Sequence, residues 1–210
     1  MYKDIFEAAQ KGSVDDVRFF IEQGVDVNVK DDEIGATPLH KAAERKNISI
    51  KILEYLIEQG ANVNEKIPKY GLTPLHLAVI HKCDIDIVKY LVELGADVNE
   101  SSWAGGTLPC AVRYHSRVEI LEYLIEAGAD IDRNDVIAIA VEYHAKAEVF
   151  KFLIAKGAEV NGRDYHSPSG MTPIEFVDSE EIKMILREAG AKTGDEIDIL
   201  EGYDGYERTW

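Results

Sequence analysis

Residues 73–99 read TPLHLAVIHKCDIDIVKYLVELGADVN, and this stretch contains the signals that recur along the chain. It opens with Thr73 and Pro74, which favour a helix start, because a Thr hydroxyl caps backbone N–H groups and Pro fits the first helical position. It closes with the pentapeptide GADVN at 95–99, and glycine ends a helix at little cost because it adopts left-handed backbone. The stretch therefore predicts two short helices joined by a link and followed by an extended segment.

The closing pentapeptide recurs with small changes. Its copies begin at Gly24, Gly60, Gly95, Gly128, Gly157 and Gly190. The intervals between successive copies are 36, 35, 33, 29 and 33 residues. A repeat of this period indicates stacked units, because a single short helical hairpin cannot bury its own apolar face.

Four apolar residues precede each of the internal glycines at the spacing i, i+1, i+4, i+5, which fits one wide apolar face of a helix. The quartets are Ile52, Leu53, Leu56, Ile57; Ile87, Val88, Leu91, Val92; Ile120, Leu121, Leu124, Ile125; and Val149, Phe150, Leu153, Ile154. We expect this face to form the core.

The tetrapeptide TPLH occurs at 37–40 and 73–76, and its relative TPIE at 172–175. Together with the pentapeptides, these residues resemble the ankyrin repeat family. The resemblance implies an all-α ankyrin-repeat solenoid of about six repeats, made of helix-turn-helix pairs with β-hairpin fingers and polar caps at both ends. It also implies a structural hydrogen-bonding role for His40 and His76.

On this basis we predict an ankyrin repeat domain over 1–194 and an acidic, aromatic tail over 195–210. The predicted repeats are an N-terminal cap at 1–33, full repeats at 34–66, 67–101 and 102–133, a degenerate repeat at 134–163 and a C-terminal cap at 164–194. In this last cap, Lys183 and Arg187 replace apolar residues and give it the polar outer face that a terminal repeat needs.

The pattern is irregular at three places. Only Arg133 and Asn134 separate Asp132 from the next helix start, so we expect a missing or shortened finger there. The links at 46–49 and 81–84 carry extra residues, which either bring partner contacts or reflect tolerated loop variation.

Composition excludes several classes of function. The chain has 210 residues, with 39 acidic and 23 basic side chains and a net charge of −16. Such a chain repels nucleic acid and anionic membrane surfaces. No apolar run is long enough to span a membrane, and the first residues do not read as a secretory signal. With only two cysteines, Cys83 and Cys110, we expect a cytoplasmic protein.

No motif for catalysis or cofactor binding is present. We find no glycine-rich phosphate loop, no zinc-binding pattern and no nucleophile paired with a base. We therefore expect no enzymatic activity, no cofactor and no metal.

Three histidines form a series when the repeats are aligned on their glycines. His81, His115 and His144 then fall at the carboxyl ends of first helices, preceded by Ile80, Tyr114 and Tyr143. Helices about 8–10 Å apart hold such side chains too far from one another for metal–nitrogen bonds of about 2 Å, so a shared metal site is disfavoured. We expect these pairs on the inner, concave wall, where they recognise a partner; the alternative is that the tyrosines fill grooves between helices.

Aromatic residues at or near the finger tips extend the same surface, since exposed aromatics mark partner sites. The predicted partner-binding residues are Tyr70, Ile80, His81, Trp103, Tyr114, His115, Tyr143, His144 and Tyr165. All but Tyr165 are expected to form one contiguous patch. In contrast, Tyr55, Tyr90, Tyr123 and Phe152 lie within second helices and are expected to pack.

These observations favour a non-enzymatic protein-protein interaction module, monomeric on its own. We expect a protein partner with a basic surface, bound through the concave face and fingers, so that the chain acts as an inhibitor of the immunity type or as a sequestering protein. The alternative is an adaptor or a host-directed effector that bridges two proteins through the concave face and the tail. The tail aromatics Tyr203, Tyr206 and Trp210 either pack on the last repeat or form a short linear ligand.

Overall fold

The structure is a computed structural model that describes residues 2–45, 50–114, 117–132, 135–162 and 171–201. Its regular elements are α-helices, and the described residues contain no β-strand. The chain divides into a first unit, Met1–Asp130, and a second unit, Ile131–Trp210. Helix pairs stack within each unit, which confirms the predicted all-α repeat solenoid.

The helices of the first unit are α1 (Ile5–Lys11), α2 (Val14–Glu22), α3 (Pro38–Ala43), α4 (Ile50–Glu58), α5 (Pro74–Ile80), α6 (Ile85–Glu93), α7 (Thr107–Tyr114) and α8 (Val118–Glu126). Those of the second unit are α9 (Val136–Glu142), α10 (Ala147–Ala155), α11 (Pro173–Phe176), α12 (Glu180–Glu188) and α13 (Gly194–Glu201). None of the helices in the described ranges combines the length and apolar character that a membrane span requires.

Each helix pair consists of a first helix and the second helix that follows it. In the first unit, the first helices α1, α3, α5 and α7 contact one another in that order, and the second helices follow the same direction, with α2 against α4 and α6 against α8. In the second unit, α9 contacts α11 and α10 contacts α12. One layer of each stack is therefore made of first helices and the other of second helices.

Threonine caps open the first helices as the tetrapeptide predicts. Thr73 has extended backbone, its side chain accepts from the backbone N–H of His76, and Pro74 occupies the first helical position. Thr37 does the same for α3 with His40. The helix start is thus specified locally by two residues and supported by a third.

The core forms from the predicted apolar quartets. In each quartet the first three residues are buried and the fourth is half-buried. The glycines that follow have φ between 90° and 96°. At Gly95 this backbone lets Ala96 N–H reach Leu91 O at 3.0 Å, which closes the second helix.

The fingers are closed loops without paired strands, which differs from the expected β-hairpins. They are 31–36, 67–72 and 102–105, named here the first, second and third finger. The N–H of Asp31 donates to Ala36 O, and that of Ile67 to Leu72 O, both at 2.9 Å. In the third finger, one isolated antiparallel bridge joins Ser102 to Gly105. Each finger is too short to continue such a bond into a ladder.

Several predictions concern residues outside the described ranges. They include the link at 46–49, the shortened finger at Arg133 and Asn134, nearly all of the last finger at 162–169, and the tail aromatics Tyr203, Tyr206 and Trp210. The site residues His115 and Tyr165 also lie outside the described ranges.

Candidate functional site

Trp103 is the most prominent predicted site residue in the first unit. Its side chain is 60% exposed, although large apolar side chains are normally covered. The third finger nevertheless fixes its position: the Trp103 N–H donates to Tyr70 O at 3.0 Å, and the Ser102 hydroxyl donates to Gly105 O at 2.8 Å. The indole is therefore presented to solvent from a fixed turn.

The second and third fingers lie in direct contact. Gly71 has φ +67°, and a Cβ there would lie 3.3 Å from the Ser101 carbonyl oxygen and the Ser102 Cα. Glycine is needed both for this backbone and for this close approach. The contact places the half-buried Tyr70, whose ring lies 5.1 Å from the Lys69 ammonium, beside the turn that carries Trp103.

The end of α7 joins the same region. The Arg113 guanidinium lies 5.8 Å from the centroid of the Trp103 ring, within the range of a cation–π contact. Tyr114 follows Arg113 and is half-buried. The structure thus brings Trp103, Tyr70 and the end of α7 together. We call Tyr70, Trp103, Arg113 and Tyr114 the finger surface.

The neighbouring first helix, α5, ends with the half-buried Ile80 and the exposed His81. Because α5 contacts α7, both residues lie at the end of a helix adjacent to the one that carries Arg113 and Tyr114. Arg113 was not among the predicted site residues. Its position after the TLPC variant of the tetrapeptide gave no chemical signal, since the ring that it contacts is ten residues earlier in the sequence.

The predicted register of the histidine series is wrong by one residue in the second unit. His81 is the C-cap of α5, with its N–H donating to Leu77 O, and Tyr143 holds the same place in α9, donating to Ile139 O. His144, with φ 52°, therefore corresponds to Lys82, with φ 59°. The closing glycines give this same register, because His81 lies 14 residues before Gly95 and Tyr143 lies 14 residues before Gly157. His144 joined the predicted series because it shares the 13-residue spacing of His115 from Gly128.

Tyr143 and His144 lie in the second unit, and both are exposed, Tyr143 to 40%. His144 lines a cavity of about 420 Å³ together with Val141, Phe150 and Phe176. This cavity lies next to α11, which has only four residues where α9 has seven.

His40 and His76 are fully buried and hold helix starts together. Nδ1 of His40 accepts from the Thr37 N–H at 3.1 Å, and its Nε2 donates to Leu72 O at 3.2 Å in the next finger. Burial lowers the pKa of His40 to about 4, so the ring is neutral near pH 7. Burial also lowers the pKa of His76, against the opposing effects of the Gly105 backbone and the Glu100 charge.

The cysteines do not form a reactive site. Both are buried, and burial raises the pKa of Cys110 to about 11, so it is a thiol at neutral pH. Within the ranges that the structure describes, no group of three or more His, Cys, Asp or Glu side chains could hold a metal ion.

Charge is distributed unevenly between the two helix layers of the first unit. The second helices α2, α4, α6 and α8 carry ten acidic and three basic side chains. The first helices α1, α3, α5 and α7 carry one acidic side chain, Glu7, and three basic ones, Lys11, Lys41 and Arg113. Of the two helix layers, the second therefore carries the acidic side chains, while further acidic residues lie in the loops, among them Asp31 in the first finger and Glu100 just before the third.

An asparagine series that the sequence analysis missed links consecutive repeats. Nδ2 of Asn64 donates to Gly95 O at 2.9 Å, and its Oδ1 accepts from the Asp97 N–H at 2.9 Å. Asn28 and Asn99 make the same pair of bonds to Gly60 and Asn62, and to Gly128 and Asp130. Asn161 makes the same pair of bonds to Gly190 and Lys192. The signal was the last residue of the pentapeptide, which is Asn in four of the six copies, Asp132 in the fourth copy and Gly194 in the sixth.

The comparisons with known proteins agree with this geometry. The family model described as ankyrin repeats (3 copies) matches residues 5–102. These residues are therefore similar to the ankyrin repeat family. A crystal structure of an ankyrin repeat domain from Acinetobacter baumannii AYE is similar, with 26% sequence identity, a TM-score of 0.73, and coverage of 90% of this chain and 98% of that one. No curated protein matches.

The similarity to ankyrin repeats supports a general role. Ankyrin repeats are generally non-enzymatic protein-protein interaction modules. As many as 505 solved chains match, so the shared architecture alone does not specify a partner. The partner must be argued from this chain's own surface.

Proposed function

We propose that this ankyrin repeat protein acts by occupancy: it binds a partner protein through the finger surface and the ends of its first helices, and so inhibits or sequesters it. An inhibitor of the immunity type is one form of this role. The observation that carries the proposal is Trp103, 60% exposed and yet fixed by the second finger and Arg113.

A fixed, exposed tryptophan favours tight binding for two reasons. Burial of an indole against a partner removes a large apolar area from water, and Trp and Tyr are frequent in the residues that dominate binding energy. Because the turn already holds Trp103, little conformational freedom is lost on binding. Tyr70 and Tyr114 add apolar area with polar tips beside it.

The proposed partner has a basic surface, because a net charge of −16 accelerates its encounter with a cationic protein. Among the helices of the first unit, the acidic residues lie mainly on the second helices, and others lie in the loops. The acidic residues on the second helices therefore accelerate the encounter with the partner through an attraction that salt screens. The aromatic residues of the finger surface then hold the complex.

The second candidate is an adaptor, or an effector, that holds two proteins at once. The uneven charge favours it, because an aromatic surface and an acidic surface suit partners of different chemistry. From the sequence, we place the second partner of such an adaptor on the tail at 195–210. Truncation after Thr193 distinguishes the two roles. An inhibitor keeps its affinity for its single partner, whereas this adaptor loses the partner that binds the tail and keeps the other.

The test begins with capture of partners on the tagged full chain at low and high salt. The dissociation constant of a purified partner is then measured for the wild type and for the triple variant Trp103→Ala, Tyr114→Ala, Tyr143→Ala. We expect the triple variant to bind at least about 30-fold more weakly, with an unchanged circular dichroism spectrum. An unchanged dissociation constant would remove the finger surface from the proposal.

A further inference from the structure

A row of aromatic side chains runs across the second helices of the first unit. Its members are the sixth residue of each nine-residue helix: Phe19, Tyr55, Tyr90 and Tyr123. Phe19 is 44% exposed, and the three tyrosines are half-buried. We call these four residues the aromatic row; none of them belongs to the finger surface.

Two rings of the aromatic row already contact a cation from this chain. The Arg18 guanidinium lies 5.2 Å from the centroid of the Tyr55 ring, and the Lys89 ammonium lies 5.7 Å from that of Tyr123. Each cation is the fifth residue of the preceding second helix. This face of the stack therefore accepts a positive charge beside an aromatic ring at regular intervals.

The position next to Tyr90 differs. The fifth residue of the preceding helix α4 is Glu54, where the neighbouring repeats have Arg18 and Lys89. Burial raises the pKa of Tyr90, and the negative charges of Glu54, Glu58 and Glu93 raise it further. Tyr90 thus has carboxylates around it at a place where the rings on either side have a cation.

We propose that this face of the first unit is a docking surface for a basic segment of a partner protein, with an Arg or Lys side chain seated on the Tyr90 ring between Glu54, Glu58 and Glu93. Charge complementarity identifies the occupant, because the helices that form the face carry ten acidic and three basic side chains. The ring adds a cation–π contact that a solvated carboxylate does not provide. The surface is separate from the finger surface, and the proposal holds whether or not that one binds a partner.

The test uses an acetylated and amidated hexa-arginine peptide as the probe, titrated calorimetrically into the full-length protein at physiological salt. Glu54→Lys supplies the cation that the neighbouring repeats already have, so it should occupy the Tyr90 ring and exclude the probe. The matched control is Glu22→Lys, which makes the same change of charge at the exposed end of α2. Tyr90→Leu removes the ring without changing net charge, and Tyr90→Phe keeps the ring.

We expect Glu54→Lys and Tyr90→Leu each to weaken binding by roughly 3- to 30-fold more than Glu22→Lys does, and Tyr90→Phe to bind like the wild type. Equal losses in the two lysine variants would show attraction by net charge alone and overturn the proposal. Wild-type affinity in Tyr90→Leu, or no binding of the probe to the wild type, overturns it as well. If Tyr90→Leu is misfolded by circular dichroism, the two lysine variants decide, because both changes are at the surface.

Discussion

In the first unit each repeat is joined to the next through Asn28, Asn64 or Asn99, whereas in the second unit Asn161 makes this pair of bonds and Asp132 stands at the other position of the pattern. The first helices differ in the same way. Thr73 and Pro74 open α5, while Asp135, with φ 46°, opens α9, and α11 has only four residues. The first unit thus follows the repeat pattern more closely than the second, and the first unit carries the finger surface.

This comparison shows what each motif contributes. The tetrapeptide sets where a first helix starts, the glycine sets where a second helix ends, and the asparagine ties one repeat to the next. A repeat survives the loss of the tetrapeptide, as α9 and α10 show, because Val149, Phe150 and Leu153 still supply the buried apolar face. Packing of that face is therefore the dominant requirement.

Truncation of a core residue should have the largest effect and should be greater in the first unit. Leu75 is fully buried on α5, which lies between α3 and α7, whereas Ile174 lies on the four-residue α11. We expect Leu75→Ala to lower the free energy of unfolding by about 2–5 kcal/mol and Ile174→Ala to fall at or below the low end of that range, because a shorter helix can relax into the space. Urea denaturation measures both, and an equal or larger loss for Ile174→Ala would contradict the comparison.

Acid should weaken the first unit through its buried histidines. The pKa of His40 is about 4 in the folded chain and 6.5 in the unfolded chain. Above pH 6.5 neither the folded nor the unfolded chain binds the proton, so His40 does not reduce the free energy of unfolding. Between pH 6.5 and 4 only the unfolded chain binds it, so the free energy of unfolding falls by about 3 kcal/mol, and below pH 4 this loss stops.

The variant His40→Gln isolates this effect, because glutamine can accept from the Thr37 N–H but does not titrate. Denaturation of both proteins at several pH values should show a shallower loss for the variant between pH 6.5 and 4. The second unit has no histidine at this position, since Ala138 and Glu175 are the third residues of α9 and α11. Identical pH dependence of the wild type and the variant would show that His40 is not the titrating group.

Exchange of the asparagine and aspartate should have the smallest effect, and opposite signs in the two units. Asn64→Asp removes the donor to Gly95 O and should cost about 1 kcal/mol. Asp132→Asn restores the usual residue and should raise the melting temperature. Asp130→Asn makes the same charge change in the same loop and is the control; a rise of equal size in this control would assign the gain to charge rather than to the hydrogen bond.

The sequence predicted the features that depend on local or periodic information. The caps at Thr37 and Thr73, the glycine helix ends and the buried quartets follow from neighbouring residues alone. The sequence did not reveal contacts that depend on the stacking of repeats. From the sequence, Asn64 has the character of a solvated loop residue, and only the fold places the Gly95 carbonyl beside it. In the same way, only the fold shows that Arg113 contacts the Trp103 ring.

The distribution of charge around the candidate site could not be predicted, for another physical reason. The location of the negative charge depends on which helix layer carries it, whereas composition gives only its sum.

The most direct measurement is the dissociation constant of a purified partner for Trp103→Ala compared with Met184→Ala. Both side chains are 60% exposed, but Trp103 lies in the first unit on the finger surface and Met184 in the second unit on α12. We expect Trp103→Ala to bind at least about 30-fold more weakly, and Met184→Ala to bind within about twofold of the wild type. Equal losses, or a loss in Met184→Ala alone, would contradict the assignment of binding to the finger surface.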